Sequence, residues 1–275
     1  MVDTGSTDKT VKVAETFGAR IVHHPWKHDF SEARNFSLTQ ATKDWILVLD
    51  ADETISDHDA LYLKEIVQGT EYWGFALNQR DYSNRTLLGG RDSLDDDYEE
   101  SEPYKGWAQQ EIVRLFRNLP SLRFCYPVYE IIEKAIKENG GEFAYLDVPI
   151  HHYGRIADVE KQQCKRRYYV DILKKHLTTE LVSDERALTL TNLFSAYSFL
   201  GEHDTAYQCL LQAERCAPSD PLLAIIHVHL GKNAMMHNDI PEAIEWLEKS
   251  LELGKRNPEP YPLLIQCYRM VGRVG

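Results

Sequence analysis

Residues 44–54 read Asp44-Trp45-Ile46-Leu47-Val48-Leu49-Asp50-Ala51-Asp52-Glu53-Thr54, an apolar run that ends abruptly in acid. An unbroken apolar stretch of this length, bounded by charge, predicts a strand buried on both faces. The acids that follow fall where open α/β sheets place their ligands, beyond the carboxyl end of a strand. Asp50 and Asp52 cannot both hide in a core without compensation. Spaced at i and i+2, they suit a hard divalent cation, Mg²⁺ or Mn²⁺, which in turn grips a diphosphate.

Working outward, Asp3-Thr4-Gly5-Ser6-Thr7-Asp8 is a Gly-containing turn, and Lys9 to Phe17 reads as a helix stopped by Gly18. Ala19 to His23 then reads as a short strand, and Ser31 to Thr42 as a helix with Ser31 as its N-cap. On the other side, Glu53 to Val67 carries helical spacing, while Trp73 to Leu77, Glu111 to Phe116 and Phe143 to Ile150 carry strand signals. Helical and strand patterns alternating in this way predict an α/β domain with a mostly parallel sheet. Residues 81 to 105 lack periodicity and hold Asp92, Asp95, Asp96, Asp97, Glu99, Glu100 and Glu102, which predicts a solvated acidic loop.

From Asp158 the pattern turns wholly helical. A repeat emerges when Leu200-Gly201-Glu202-His203-Asp204-Thr205-Ala206-Tyr207 is set against Met236-His237-Asn238-Asp239-Ile240-Pro241-Glu242-Ala243-Ile244. Ala206 and Ala243 take the same place, at a spacing slightly longer than the roughly 34-residue tetratricopeptide period, and a third partial unit starts near Tyr261. Such helix pairs bury their apolar stripes against neighbouring pairs and often present a surface to a protein partner. The expected organisation is an α/β domain over 1–157, a connecting helix over 158–183 and tetratricopeptide-like repeats over 184–275.

Composition narrows the function. The chain has 275 residues, a hydrophobic content of 43% and a formal net charge of −12, which argues against nucleic acid or an anionic membrane as partner. No apolar run approaches the ~20 residues that span a bilayer, and the first residues are polar, so a cytoplasmic protein is expected. The cysteines Cys125, Cys164, Cys209, Cys216 and Cys267 are odd in number and form no close pair, which indicates neither a disulfide framework nor a zinc site.

Several segments come in a characteristic order: Val2-Asp3-Thr4-Gly5-Ser6-Thr7-Asp8, then Phe30-Ser31-Glu32-Ala33-Arg34-Asn35, then the Asp50-Ala51-Asp52 segment. Glu111-Ile112-Val113-Arg114-Leu115-Phe116-Arg117-Asn118 and Ile150-His151-His152-Tyr153-Gly154 follow. The set resembles the family 2 glycosyltransferases, most closely those fused to tetratricopeptide repeats. The resemblance implies a GT-A fold, a nucleotide-diphosphate sugar donor such as a UDP-sugar, and transfer with inversion to a glycan, lipid or protein acceptor. It places Asp3 against the uracil or ribose, Arg34 on the nucleotide, and Asp50 and Asp52 on the metal and ribose-diphosphate. His152, or its neighbour His151, is a candidate for a further metal or diphosphate contact. A base for the acceptor is needed, and Glu111 and Glu130 are the candidates. Glu130 closes Pro127-Val128-Tyr129-Glu130, where Tyr129 replaces the family's histidine.

The family has a further strand and helix ahead of its Asp-Thr-Gly-Ser segment, so the chain is expected to lack the first nucleotide-binding unit. One alternative is therefore an impaired transferase that serves as a helical-repeat binding module. Another follows from Asp50-Ala51-Asp52-Glu53-Thr54, which also fits the DxDxT signature of haloacid-dehalogenase-like phosphatases, with Asp50 as nucleophile and Asp52 as acid/base.

Overall fold

The computed structural model describes residues 1–83, 91–92, 98–101, 104–154, 159–216, 218–254 and 258–272. The chain divides into two compact units, Met1–Gln162 and Gln163–Gly275.

In the first unit β1 (Val2–Asp3), α1 (Thr10–Thr16) and β2 (Val22–His23) form a β/α/β element whose strands pair in parallel. Helix α2 (Phe30–Leu38) follows, then β3 (Trp45–Leu47), β4 (Glu53–Thr54), α3 (Asp57–Ile66), β5 (Gly74–Ser83), β6 (Arg91–Asp92), β7 (Gly106–Arg117), α4 (Glu133–Glu138) and β8 (Phe143–His152). The larger sheet runs β3-β7-β5-β8-β4, with β6 paired to β7. Among the described residues only β5 and β8 are parallel in it; the β3–β7, β5–β7, β4–β8 and β6–β7 pairs are antiparallel. The expected parallel character is thus confined to β1–β2 and β5–β8. A long β7 returning beside β5 needs no crossover helix, so it can run antiparallel.

The strand buried on both faces is β5, with every residue from Gly74 to Tyr82 buried. Ala76 joins Val113, Phe116, Leu122, Ile132 and Ile136 on one side of the sheet, under α2 and α4. Phe75 and Leu77 join Leu63, Leu115, Val148 and Ile150 on the other, under α3. By contrast β3 is an edge strand among the described residues, where Trp45–Leu47 pairs with β7 alone, and Leu47 and Leu49 are exposed.

Local chemistry moves several boundaries. The N-cap of α2 is Asp29 rather than Ser31: the Asp29 carboxylate accepts from Glu32 N, and Ser31 Oγ donates to the same oxygen at 2.7 Å. Glu53 and Thr54 are drawn out of the expected helix by pairing with His152 and His151, and α3 starts after Ser56, whose hydroxyl accepts from Asp59 N. The expected acidic loop is partly sheet, through Asp81–Ser83 and Arg91–Asp92. Asp95, Asp96, Asp97 and Glu102 lie outside the described residues.

The second unit is helical. Most of α5 (Val159–His176) belongs to it, resting on α6 (Ser183–Phe199) through Arg166 over the Phe199 ring and Lys174 over the Tyr197 ring. Then come α7 (His203–Arg215), α8 (Asp220–Met236), α9 (Ile240–Leu253) and α10 (Pro260–Met270). The starts of α6 and α8, and of α7 and α9, recur with the spacing that separates Ala206 from Ala243. Both alanines are buried at helix contacts, where small residues let backbones approach. Gly231 serves the same end, since a Cβ there would lie 2.8 Å from Leu247 Cγ. All five cysteines are free thiols.

Candidate functional site

The acidic turn after β3 is held by two arginines that the fold brings from elsewhere. Arg34, on α2, donates through Nη2 to Asp50 Oδ1 at 2.7 Å and through Nε to Glu130 Oε1. Arg114 reaches the turn from β7. Ala76 pairs with Val113 and Phe75 with Leu115, so Arg114 is the extra residue of a β-bulge. Bulges re-aim side chains, and here the buried guanidinium donates to Glu53 Oε1 at 2.7 Å, Gln79 Oε1 at 3.0 Å and Asp50 Oδ2 at 3.5 Å. Glu53 Oε2 in turn accepts from Asp50 N at 2.7 Å, closing the turn on itself. Burial alone would raise the Asp50 carboxyl, but Arg34 and Arg114 hold it below the usual carboxylate range. Burial does dominate at Glu53, whose pKa is pushed up against the pull of Arg114.

Asp52 faces a different partner. Its carboxylate is 48% exposed, with Oδ2 3.4 Å from His152 Nε2. The other imidazole nitrogen of His152, Nδ1, is bonded to Asp81 Oδ1. These contacts, Asp52 first and then Asp81, raise the His152 pKa to about 9. Gly154 packs against the pair: a Cβ there would come within 2.5 Å of Asp52 Oδ2 and 2.6 Å of His152 Nε2. His151 points to the opposite face of β8, as strand alternation requires. It is fully buried, with Nδ1 2.6 Å from Tyr82 Oη and its ring parallel to that of Tyr82. Of the two histidines, His152 meets the acidic turn and His151 packs the interior.

The structure therefore brings together Arg34, Asp50, Asp52, Glu130 and His152, all read from the sequence. Glu111 is exposed on β7, opposite Asn78, and among the described residues no hydrogen bond or ion pair joins it to this group. Asp3 is buried in its own turn, where it accepts from Ser6 N at 3.1 Å, Gly5 N at 3.3 Å and His23 Nδ1 at 3.1 Å. The hydrogen bonds from Ser6, with smaller contributions from His23 and Gly5, bring its carboxyl down to about 2. Arg114, Glu53, Gln79 and Asp81 escaped the sequence reading. A lone arginine inside the apolar run Ile112-Val113-Arg114-Leu115-Phe116 was the available signal for Arg114. Among the described residues no group of three or more His, Cys, Asp or Glu side chains converges as a preformed metal cage.

Residues 1–134 match the family model of glycosyl transferase family 2. They are a family 2 glycosyltransferase domain. Over the whole chain it is 28% identical to a TPR repeat-containing protein of Synechococcus elongatus, spanning 55% of that relative. An uncharacterized glycosyltransferase of Rickettsia bellii is 40% identical over 30% of this chain and 25% of its own length. The SPbeta prophage-derived glycosyltransferase SunS of Bacillus subtilis is 24% identical over 66% of this chain and 39% of its own. The chain thus spans about half, or less, of the length of these curated relatives. The glycosyltransferase domain is followed by helical repeats, and among the described residues no helix is long and apolar enough to cross a membrane.

Proposed function

We propose that the chain is a metal-dependent, inverting glycosyltransferase that takes a sugar from a nucleotide-diphosphate donor. The observation that carries this reading is the Asp52–His152 pair, half-open at the edge of a cluster whose acids Asp50, Asp52, Glu53, Asp81 and Glu130 outnumber Arg34, Arg114 and His152. Such a cluster favours an added cation. Mg²⁺ and Mn²⁺ need only one or two protein ligands when substrate phosphates supply the rest. Asp52 fits that requirement, and His152 Nε2, 3.4 Å from its Oδ2, would join it once a bound cation displaced the imidazole proton. Asp50, already bonded by Arg34 and Arg114, serves to hold the turn.

A bound divalent cation would supply charge neutralisation at the leaving diphosphate. The remaining work falls to the chain. Arg34 orients the Glu130 carboxylate through Oε1, and Oε2 lies outside that bond. In the transfer, the acceptor oxygen bonds the anomeric carbon, the sugar–diphosphate bond breaks, and the acceptor's proton passes to a carboxylate, for which Glu130 is better placed than Glu111. Glu130→Gln should lower transfer by about 10²–10⁴-fold and Glu111→Gln by little; the reverse order in a transfer assay would move the role to Glu111. The phosphatase reading loses its footing here, because an Asp50 carboxylate held by two guanidiniums is a poor nucleophile.

Calorimetric titration of UDP, with GDP for comparison, with and without Mn²⁺, tests the donor site. Binding that requires Mn²⁺ and is lost in Asp52→Ala is the expected result. An absence of nucleotide binding under every condition would overturn the reading and favour a binding role for the repeats.

A further inference from the structure

The acidic cluster leaves a neighbouring stack of aromatic rings unused. Tyr82 is fully buried at its centre. Tyr104 lies over Tyr82 with centroids 4.9 Å apart at 25°, and Tyr153 with centroids 5.6 Å apart at 17°. Tyr104 and Tyr153 stand 5.8 Å from each other, inclined at 40°. Both residues are half-buried. Behind them Arg80 is buried between the rings of Tyr98 and Trp107, at 5.0 and 4.7 Å, where its charge is engaged with those rings.

The stack is tied to the acidic turn. Tyr153 N donates to Asp52 O at 3.0 Å, and Tyr153 Oη lies 3.3 Å from Thr54 Oγ1. Gly154 then brings the backbone against Asp52 and His152. On the His151 face of the sheet, two inclined aromatic rings with the hydroxyls of Tyr153 and Thr54 beside them combine an apolar middle with a polar edge. Binding sites combine an apolar lining with a few placed polar groups in this way. A pyranose ring has the matching chemistry, with C–H faces above and below and hydroxyls around its circumference.

We propose that Tyr104 and Tyr153 form a platform for a pyranose ring, with the hydroxyls of Tyr153 and Thr54 at its rim. The proposal rests on the glycosyltransferase reading, since that reaction supplies two sources for such a ring, the donor's sugar and the acceptor's. On this view the tyrosines touch sugar and leave the nucleotide to other residues.

The experiment uses the full chain, its Tyr104→Ala and Tyr153→Ala variants, and Tyr153→Phe, which keeps the ring and loses only the hydroxyl. UDP, UDP-glucose, UDP-galactose and UDP-N-acetylglucosamine are titrated with Mn²⁺. Methyl glycosides of the same sugars are followed by saturation-transfer NMR with UDP present. The alanine variants should bind UDP as the wild type does while one class of sugar ligand weakens about tenfold or more, and Tyr153→Phe, which loses one rim hydroxyl but keeps the ring, should weaken that ligand by less. Weakening confined to a nucleotide sugar assigns the platform to the donor ring; weakening confined to a methyl glycoside assigns it to the acceptor ring. Sugar ligands bound alike by wild type and alanine variants would overturn the proposal, as would a wild type that binds no sugar in either form, or an equal loss of UDP and sugar in the alanine variants. If the wild type binds methyl glycosides through the tyrosines but no nucleotide, the platform stands and the donor reading falls.

Discussion

At the scale of single residues, the arginines decide what the acids can do. Arg114 is buried and gives hydrogen bonds to Glu53, Gln79 and Asp50, while the Glu53 side chain has no exposure at all. Removing one partner of a buried ion pair leaves an uncompensated charge, at a cost of about 3–5 kcal/mol. Arg114→Met should therefore lower the unfolding free energy of the first unit, read from urea denaturation, by that order, and adding Glu53→Gln should restore part of the loss. If the double variant is no more stable than Arg114→Met, the two side chains are not energetically coupled. Asp50-Ala51-Asp52 was legible in the sequence because its pattern is local. The pairing of Arg34 with Glu130 joins residues far apart in the chain, and the aim of Arg114 depends on a bulge set by the register of β5 against β7. Neither is written in nearby residues. The choice between His151 and His152 needed only the phase of β8, since neighbours on a strand face opposite ways, but the sequence did not say which face was dry.

At the scale of elements, hydrophobic runs located strands well and assigned their places in the sheet poorly. Trp45 to Leu49 looked like a central strand, yet β3 is an edge, and the central place went to β5, whose Asn78, Gln79, Arg80 and Asp81 break the apolar pattern. Gln79 and Asp81 are buried facing the site, where Gln79 meets Arg114 and Asp81 meets His152, while Asn78 donates to Asp147 and Arg80 lies between the rings of Tyr98 and Trp107. Tertiary pairing likewise took Glu53 and Thr54 from a helix that local spacing favoured. The helical half was more legible, since each helix repeats a contact already visible in Ala206 and Ala243. One element there carries a liability. On α8, His227 is buried against Trp246 of α9, and burial lowers its pKa, with Glu214 opposing and Lys249 reinforcing the shift. Folding thus favours neutral His227. The stability it permits is present above the unfolded value of about 6.5 and is lost as pH falls toward the depressed folded value. His229 on the same helix shifts in the same direction through burial and Lys232, against Glu259. Urea unfolding of the second unit should weaken between about pH 7 and pH 5, and His227→Phe should flatten that slope. An unchanged slope in the variant would assign the acid sensitivity to other groups.

At the scale of the whole molecule, the division at Gln162 and Gln163 predicts that the halves respond to different perturbations. The core of the first unit is built on β5, β7 and β8; that of the second includes Val228, Ala243, Ile244, Leu247 and Leu264 of its packed helices. Units with separate cores unfold as separate cooperative blocks. Gly231→Ala tests this from one side. The alanine gains about 1 kcal/mol of helix propensity. Its Cβ, however, would lie 2.8 Å from Leu247 Cγ and 2.9 Å from Leu247 Cδ2, and overpacking costs about 1–3 kcal/mol. Because Leu247 is fully buried and Ala243 lies directly beside it, the helices must part for the methyl group to fit. The net effect should be a loss of roughly 1 kcal/mol and a fall of several degrees in one calorimetric transition. UDP with Mn²⁺ tests from the other side, since a ligand stabilises only the unit whose native state binds it. It should raise the other transition and leave the one moved by Gly231→Ala in place. A single transition shifted by both perturbations would mean that the repeats and the transferase domain fold as one cooperative block, and that occupancy of the nucleotide site is felt across the repeat surface.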